Sequence, residues 1–289
     1  MTALRDTGQA KLNLTLEVLG RHADGFHELR SLVAFAPLGD EVEFDPHGPL
    51  DLVVEGRFAE ALGGDNLIIK AARAASNKVP GLKLGRFRLV KMLPVASGLG
   101  GGSADAAAAL RLIARANSGV LTEATLAELA PQLGSDVSVC LKSRPALISG
   151  RGENVEPVAG FPSCGVLLAN PGRPLATEAV YAALRAEPLA PPPRPRSESL
   201  DFHDDFEALL AYATPRGNDL EPPAAQLVPE IREVLAALLA LDGVRLARLS
   251  GSGPTCFALF ASEHDAKHVG ARLAAKFPNW WIAASALGA

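Results

Sequence analysis

Apolar and polar residues alternate with period two through Ala10-Lys11-Leu12-Asn13-Leu14-Thr15-Leu16-Glu17-Val18. This predicts a strand buried on one face, with Lys11, Asn13, Thr15 and Glu17 together on the other. Read locally, those four form a solvated face, and Lys11 matters only if another part of the chain places it in a cleft. Arg21-His22-Ala23-Asp24-Gly25-Phe26-His27 centres on Asp-Gly and predicts a hairpin-like turn. Residues 31–36, 40–44 and 50–55 predict further strands, and Asp65-Asn66 caps a helix over 67–77. Strand 87–92 carries Lys91 to the edge of a glycine-rich stretch, and helices follow over 104–116 and 121–130. Asp136 then leads a short apolar element, where an aspartate commonly serves as a helix cap. Residues 145–153, with Gly150 and Gly152, read as a crossing between halves of the chain.

The second half predicts a strand at 165–170 ended by Pro171-Gly172 and a helix at 176–186. Amphipathic helices at 202–213 and 229–241 flank a polar elbow, Asn218-Asp219-Leu220-Glu221-Pro222-Pro223. Strands at 244–249 and 256–260 are joined by Ser250-Gly251-Ser252-Gly253-Pro254-Thr255, followed by a helix at 263–276 and a strand at 281–284. That second glycine loop is either a plain hairpin turn or a loop packed beside a ligand site. The pattern is α+β. Residues 189–196 are proline-rich and predict an extended surface loop.

The alternation breaks most sharply at Leu93-Pro94-Val95-Ala96-Ser97-Gly98-Leu99-Gly100-Gly101-Gly102-Ser103-Ala104-Asp105, which runs into an alanine-rich helix former. Glycines fill four of the five positions from Gly98 to Gly102. Such a turn reaches backbone angles closed to other residues, and no side chain blocks a ligand. A glycine loop opening a helix offers unpaired N–H groups at the positive end of the helix dipole, which suits phosphate, with Ser103 as the expected N-cap. The plainer alternative is a tight turn packed on a helix. A Walker loop is excluded because Ser103-Ala104 follow the last glycine, and the dinucleotide fingerprint fails because Ser103 stands where glycine is required.

Composition narrows the class. The 289 residues are 48% hydrophobic and 21% charged with a net charge of −4, which is globular and gives no basic footprint for nucleic acid. No apolar run approaches the roughly 20 residues needed to span a bilayer, and residues 1–11 lack a signal-peptide core, so a cytoplasmic chain without a membrane partner is expected. Cys140, Cys164 and Cys256 are far apart among apolar neighbours, and the six histidines form no ligand pair, so no protein-held metal site is expected.

Three segments in order, Ala10-Lys11-Leu12-Asn13-Leu14, the stretch from Leu93 to Asp105, and the stretch from Leu249 to Phe257, resemble the three motifs of the GHMP kinases. Within that family, Ala23-Asp24-Gly25-Phe26-His27, Asp65-Asn66-Leu67-Ile68, Leu133-Gly134-Ser135-Asp136-Val137 and Asn218-Asp219-Leu220-Glu221 are similar to members that phosphorylate a cytidine-diphosphate-linked alcohol for isoprenoid synthesis. The resemblance implies a two-domain α+β kinase, with an ATP-binding domain at 1–147, a substrate-binding domain at 148–289 and the active site in the cleft between them. It implies that Pro94, Val95, Ala96, Ser97, Gly98, Leu99, Gly100, Gly101, Gly102, Ser103 and Ala104 hold ATP, with Asn66 and Lys91 near the nucleotide. Lys11 and Asp136 match the family's catalytic pair. Asn13, Phe26, His27, Asp136, Thr177 and Tyr181 match the substrate pocket, where Phe26 and Tyr181 would sandwich the cytosine ring and His27 would read its edge. Magnesium would enter mainly as MgATP. The partners implied are ATP and the small-molecule acceptor; a monomer is expected, with a weak homodimer as the alternative.

The sequence departs from the family pattern at four places. Gln9 stands where proline is common, Phe26 where tyrosine is usual, Tyr181 where phenylalanine is frequent, and Asp105 where asparagine is often found. A charged Asp105 near a triphosphate would repel it unless turned away or toward a cation. The competing readings are a GHMP kinase for another small alcohol (mevalonate, homoserine or a sugar), a silent nucleotide sensor, and a related diphosphate decarboxylase. The presence of both Lys11 and Asp136 counts against the sensor, and Phe26-His27 against the decarboxylase.

Overall fold

A computed structural model describes residues 3–189 and 199–288. The chain opens on β1 (Leu4–Asn13) and β2 (Glu17–Arg21) and turns at Asp24-Gly25 into β3 (His27–Asp45), Arg21 pairing with His27 as the hairpin requires. Residues 10–16 are all buried, so Lys11, Asn13 and Thr15 lie inside and not on a solvated face. The two strands expected at 31–36 and 40–44 are one strand of 19 residues. It stays continuous because it changes partners along its length: Leu29–Val33 pairs with β6 (Ala146–Gly150), and Glu41–Asp45 with β5 (Arg86–Val90).

Between these come β4 (Asp51–Glu55), parallel to β5, and α1 (Leu67–Lys78), which starts where Asn66 Oδ1 accepts the Ile68 N–H at 2.8 Å. After β5 come α2 (Gly101–Ala116), α3 (Glu123–Leu133), capped by Thr122, and α4 (Val137–Lys142). Residues 145–153, expected as a crossing between halves, hold β6 and the turn into β7 (Asn154–Pro157), which pairs with it as a hairpin.

The remainder comprises β8 (Cys164–Asn170), α5 (Thr177–Leu184), α6 (Phe206–Ala213), α7 (Glu221–Leu227), α8 (Glu230–Leu239), β9 (Leu246–Leu249), β10 (Cys256–Phe260), α9 (Glu263–Lys276) and β11 (Trp281–Leu287). The expected elbow at 218–223 runs into α7, because prolines are tolerated in a first helical turn, where the N–H has no partner to lose. Residues 190–196 of the expected proline-rich loop lie outside the described residues.

Backbone contacts group into two compact units, each built from several segments: 1–10, 38–95 and 100–143 in the first, and 11–37, 96–99 and 144–289 in the second. In the first, Phe44 of β3 stacks on Phe87 of β5 at 4.5 Å, and α2 packs against α1 and α4. The alanine-rich sequence permits that packing: residues 104 to 110 of α2 are all buried. In the second, β11-β8-β10-β9 form an antiparallel sheet, each strand hydrogen-bonded to the next, with α8 and α9 packed on it. Leu167, Phe260, Val234 and Leu273 sit in the same core. Among the described residues no helix is long and apolar enough to cross a membrane.

Candidate active site

In the first unit, α2 begins three residues earlier than the sequence suggests. Gly100 is its N-cap at φ 66°, a left-handed angle natural to glycine, and the first intrahelical bond runs from Ala104 N to Gly100 O at 2.9 Å. Ser103 is therefore the third helical residue and not the cap. The N–H groups of Gly101, Gly102 and Ser103 have no intrahelical acceptor and stand at the positive end of a 16-residue helix. Gly102 is exposed, and a Cβ there would meet only Leu67 Cδ1, at 3.4 Å. That open face above a row of amides is what a phosphate needs.

Lys91 does not offer a free cation to this face. Its ammonium is buried, 2.5 Å from Asp40 Oδ2 and 2.8 Å from Asp105 Oδ2. Burial alone would lower the lysine's pKa, but the charges of Asp105 and Asp40 outweigh it and hold the pKa above the usual value. Asp105 is pushed up to about 7, first by burial and then by Asp40, against the opposing pull of Lys91. Asp105 is thus neither turned to solvent nor aimed at a ligand, and its Oδ1 is buried without a hydrogen-bond partner.

Asp136 is half-buried at the N-cap position of α4, and its side chain makes no capping hydrogen bond, so the local reading of it as a cap does not hold. Asn66 uses its carbonyl oxygen to cap α1 and retains its amide NH₂. It borders a cavity of about 380 Å³ lined by Leu52, Val54, Ala59, Leu62 and Ile69.

In the second unit the two glycine loops pack side by side. Ser250 Oγ donates to Gly98 O at 3.0 Å and Thr255 N to Ser97 O at 3.1 Å. Gly98 has φ 77°, and a Cβ there would overlap the Ser250 carbonyl oxygen and come within 2.7 Å of Gly253 N. Lys11 lies next to this loop, its N–H bonded to Leu99 O at 2.9 Å. Asn13 donates to Ser31 Oγ at 2.8 Å, while its Oδ1 is buried with no hydrogen-bond partner. Thr177 Oγ1 and Ser252 Oγ lie 2.9 Å apart.

The ring in contact with Tyr181 is that of His27. His27 stacks on Tyr181 with ring centroids 4.6 Å apart, and its Nε2 is buried without a hydrogen-bond partner. Phe26 is 59% exposed and faces the guanidinium of Arg151 at 4.8 Å. Burial, then the positive charges of Arg21 and His22, hold His27 below the usual imidazole pKa, so the ring is neutral at pH 7.

Residues 66–144 match the GHMP kinases N terminal domain, and residues 201–279 match GHMP kinases C terminal. A 4-diphosphocytidyl-2-C-methyl-D-erythritol kinase from Bradyrhizobium sp. (strain ORS 278) is 47% identical over 297 residues, covering 99% of this chain and 97% of its own length. The chain belongs to the 4-diphosphocytidyl-2-C-methyl-D-erythritol kinase family of GHMP kinases. A 4-diphosphocytidyl-2-C-methyl-D-erythritol kinase of Parvibaculum lavamentivorans is 48% identical over 287 residues, 98% of each chain. The crystal structure of a 4-(cytidine 5'-diphospho)-2C-methyl-D-erythritol kinase superposes with a TM-score of 0.77 at 33% identity, covering 99% of this chain and all of that one.

Two residues of this GHMP kinase were not singled out from its sequence. Asp40 accepts the Met92 and Leu93 N–H groups at 2.6 and 2.8 Å as well as the Lys91 ammonium. Its signal was parity: Asp40, Val42 and Phe44 share one face of β3, and all three are fully buried. Arg151, paired to Asp24 at 2.6 Å, sits in the β6–β7 turn and has no comparable signal.

Proposed function

We propose that this chain transfers the γ-phosphoryl group of ATP to the C2 hydroxyl of 4-diphosphocytidyl-2-C-methyl-D-erythritol, giving the 2-phosphate in the non-mevalonate isoprenoid pathway. The observation that carries the acceptor is the His27–Tyr181 stack with its unspent ring nitrogen. A flat aromatic pair beside a buried polar atom suits a planar base, and the buried Asn13 Oδ1 offers a second unspent polar atom.

The amides of Gly101, Gly102 and Ser103 take phosphate oxygens of ATP, and the cavity beside Asn66 takes the remainder of the nucleotide. Magnesium arrives with ATP. The two carboxylates under α2, Asp40 and Asp105, are both committed to Lys91, and among the described residues no cluster of His, Cys, Asp and Glu could hold a metal ion. Asp136 accepts the proton of the tertiary hydroxyl, and Lys11 stabilises the charge that develops on oxygen. Phosphoryl transfer needs little more from a protein than positioning and charge neutralisation.

Residues 1–147 supply the ATP site and 148–289 the acceptor site, with one amendment. Asn13, Phe26 and His27 belong with Thr177 and Tyr181, in whose compact unit they fold. The test is coupled turnover with candidate acceptors. A kcat/KM for the diphosphocytidyl alcohol at least 100-fold above that for mevalonate, homoserine or a sugar is expected, and a preference for any of those would overturn the reading.

A further inference from the structure

The buried ion cluster beneath the start of α2 has no place in the phosphoryl-transfer chemistry, yet it is built into the frame of the glycine loop. Asp40 is fully buried and its carboxylate accepts three hydrogen bonds: one from the Lys91 ammonium, and two from the backbone N–H groups of Met92 and Leu93. These amides are the last of the chain before Pro94, where the loop begins. On the far side of the loop, the same ammonium reaches Asp105 Oδ2 at 2.8 Å, in the second turn of α2. A Cβ on Gly101, the first residue of α2, would lie 3.1 Å from Lys91 Nζ and 3.5 Å from Asp40 Oδ2. The residues entering the loop and those leaving it are therefore clamped to one carboxylate–ammonium pair.

The backbone of Lys91 is held from the opposite side as well: Lys91 N donates to Glu55 O at 2.7 Å, and Lys91 O accepts from Phe58 N at 3.1 Å. A buried carboxylate satisfied by three donors is a rigid fixture, because releasing any donor leaves charge or an amide unpaired in a dry site. We infer that Asp40 is a positioning residue for ATP: it fixes the take-off of the glycine loop relative to the first turn of α2 and so sets the spacing of the amides that receive the phosphates. Asp40 touches no reacting atom. It acts through the Met92–Leu93 backbone and through Lys91. The inference rests on the reading of the loop as an ATP site.

The experiment measures MgATP binding directly, by calorimetry without acceptor, alongside steady-state kinetics with both substrates. Asp40→Asn keeps the shape but removes the charge that holds the lysine and strengthens the two amide bonds. It is expected to weaken MgATP at least tenfold, about 1.4 kcal/mol, and to raise KM for ATP in step, while KM for the acceptor moves less than threefold. Asp105→Asn, which leaves Lys91 paired with Asp40, is expected to weaken MgATP at least fivefold less than Asp40→Asn. A merely structural role predicts no such split between the two substrates. An Asp40→Asn variant that folds, by circular dichroism, and binds MgATP within threefold of the native chain would overturn the inference while leaving the kinase reading intact.

Native chain that binds no MgATP would overturn both. Asp40→Ser, smaller and uncharged, gives the same comparison if the Asn variant is not folded. Hydrogen exchange on the native chain adds a readout that needs no variant: MgATP is expected to slow exchange at the Met92 and Leu93 amides, and unchanged exchange there would also sink the inference.

Discussion

The imidazole of His27 lies flat against the ring of Tyr181, 4.6 Å between centroids and 30° between planes. The two rings cover each other where the resemblance alone puts a cytosine against Tyr181, and Phe26 stands apart with Arg151 on its ring. A base stacked on Tyr181 must therefore displace His27 or extend the stack. Either way, Tyr181→Ala removes one aromatic face, worth about 1–3 kcal/mol per stacked base. KM for the cytidyl acceptor is expected to rise roughly 10–100-fold, with KM for ATP unchanged and Tyr181→Phe close to native. Steady-state kinetics with each substrate varied in turn is the check.

His27 also makes acceptor recognition sensitive to acid. Burial, then Arg21 and His22, depress its pKa below the usual 6.5, so the neutral ring persists below the pH at which a free histidine charges. A depressed histidine contributes stability that is complete above 6.5 and is lost as pH falls through the folded value. KM for the acceptor should be flat from pH 8 down to 6.5 and climb only below it, and His27→Gln should flatten that climb. An NMR titration of the His27 ring that gave a midpoint at or above 6.5 would contradict this.

Local rules found what is locally encoded. The Asn66 cap, the Asp24-Gly25 hairpin and the glycine entry to α2 each depend on residues a few positions apart. Ser103 was misplaced as the cap because serine ordinarily outranks glycine there, and the left-handed Gly100 pre-empts it three residues earlier. Lys11 and Asn13 were put on a solvated face because period two says only that a strand has two sides, not that both are covered. The clustering of Asp40, Lys91 and Asp105 depends on β3, β5 and α2 meeting, and no spacing along the chain encodes that. Only the parity of Asp40 with Val42 and Phe44 hinted at it.

For the chemical step, Asp136→Asn is expected to lower kcat by about 10²–10⁴-fold with KM for ATP within threefold, because asparagine keeps the shape and loses the basic oxygen. Lys11→Met is expected to lower kcat as well, but with some loss of stability, as the residue is only 4% exposed. Single-turnover rates and thermal melts on the two variants separate these effects. An Asp136→Asn enzyme with near-native kcat would remove the assigned base.

The glycines of the loop divide by what a methyl group would strike. At Gly98 the backbone is left-handed and a Cβ runs into the Ser250 carbonyl and the Gly253 amide, neither of which is a flexible side-chain end. Gly98→Ala should therefore cost fold stability, by at least the roughly 1–2 kcal/mol of the left-handed angle alone. At Gly102 a Cβ meets only Leu67 Cδ1 at 3.4 Å, so Gly102→Ala should melt like the native chain while weakening ATP by filling the phosphate face. Melting curves and ATP titrations on the pair should give opposite rankings, and a matching ranking would argue against the open cradle.

Asp105 makes the first unit sensitive to pH in the direction opposite to most carboxylates. One ammonium serves two carboxylates in a dry site. The surplus charge falls on Asp105, which receives a single donor while Asp40 receives three. Burial, helped by Asp40, raises its pKa to about 7 from the ordinary 3.8. The folded chain thus binds the extra proton more tightly than the unfolded one. The stability this confers is complete below 3.8 and is lost as pH rises through about 7. Asparagine imitates the protonated form, so Asp105→Asn should melt above the native chain, by a small margin at pH 5 and a larger one at pH 8. A change of 1 kcal/mol appears as roughly 2–4 °C in a chain of this size. If the variant instead lost more stability at pH 8 than at pH 5, the ionised Asp105–Lys91 pair would be a net support of the fold and the surplus charge would have to sit elsewhere.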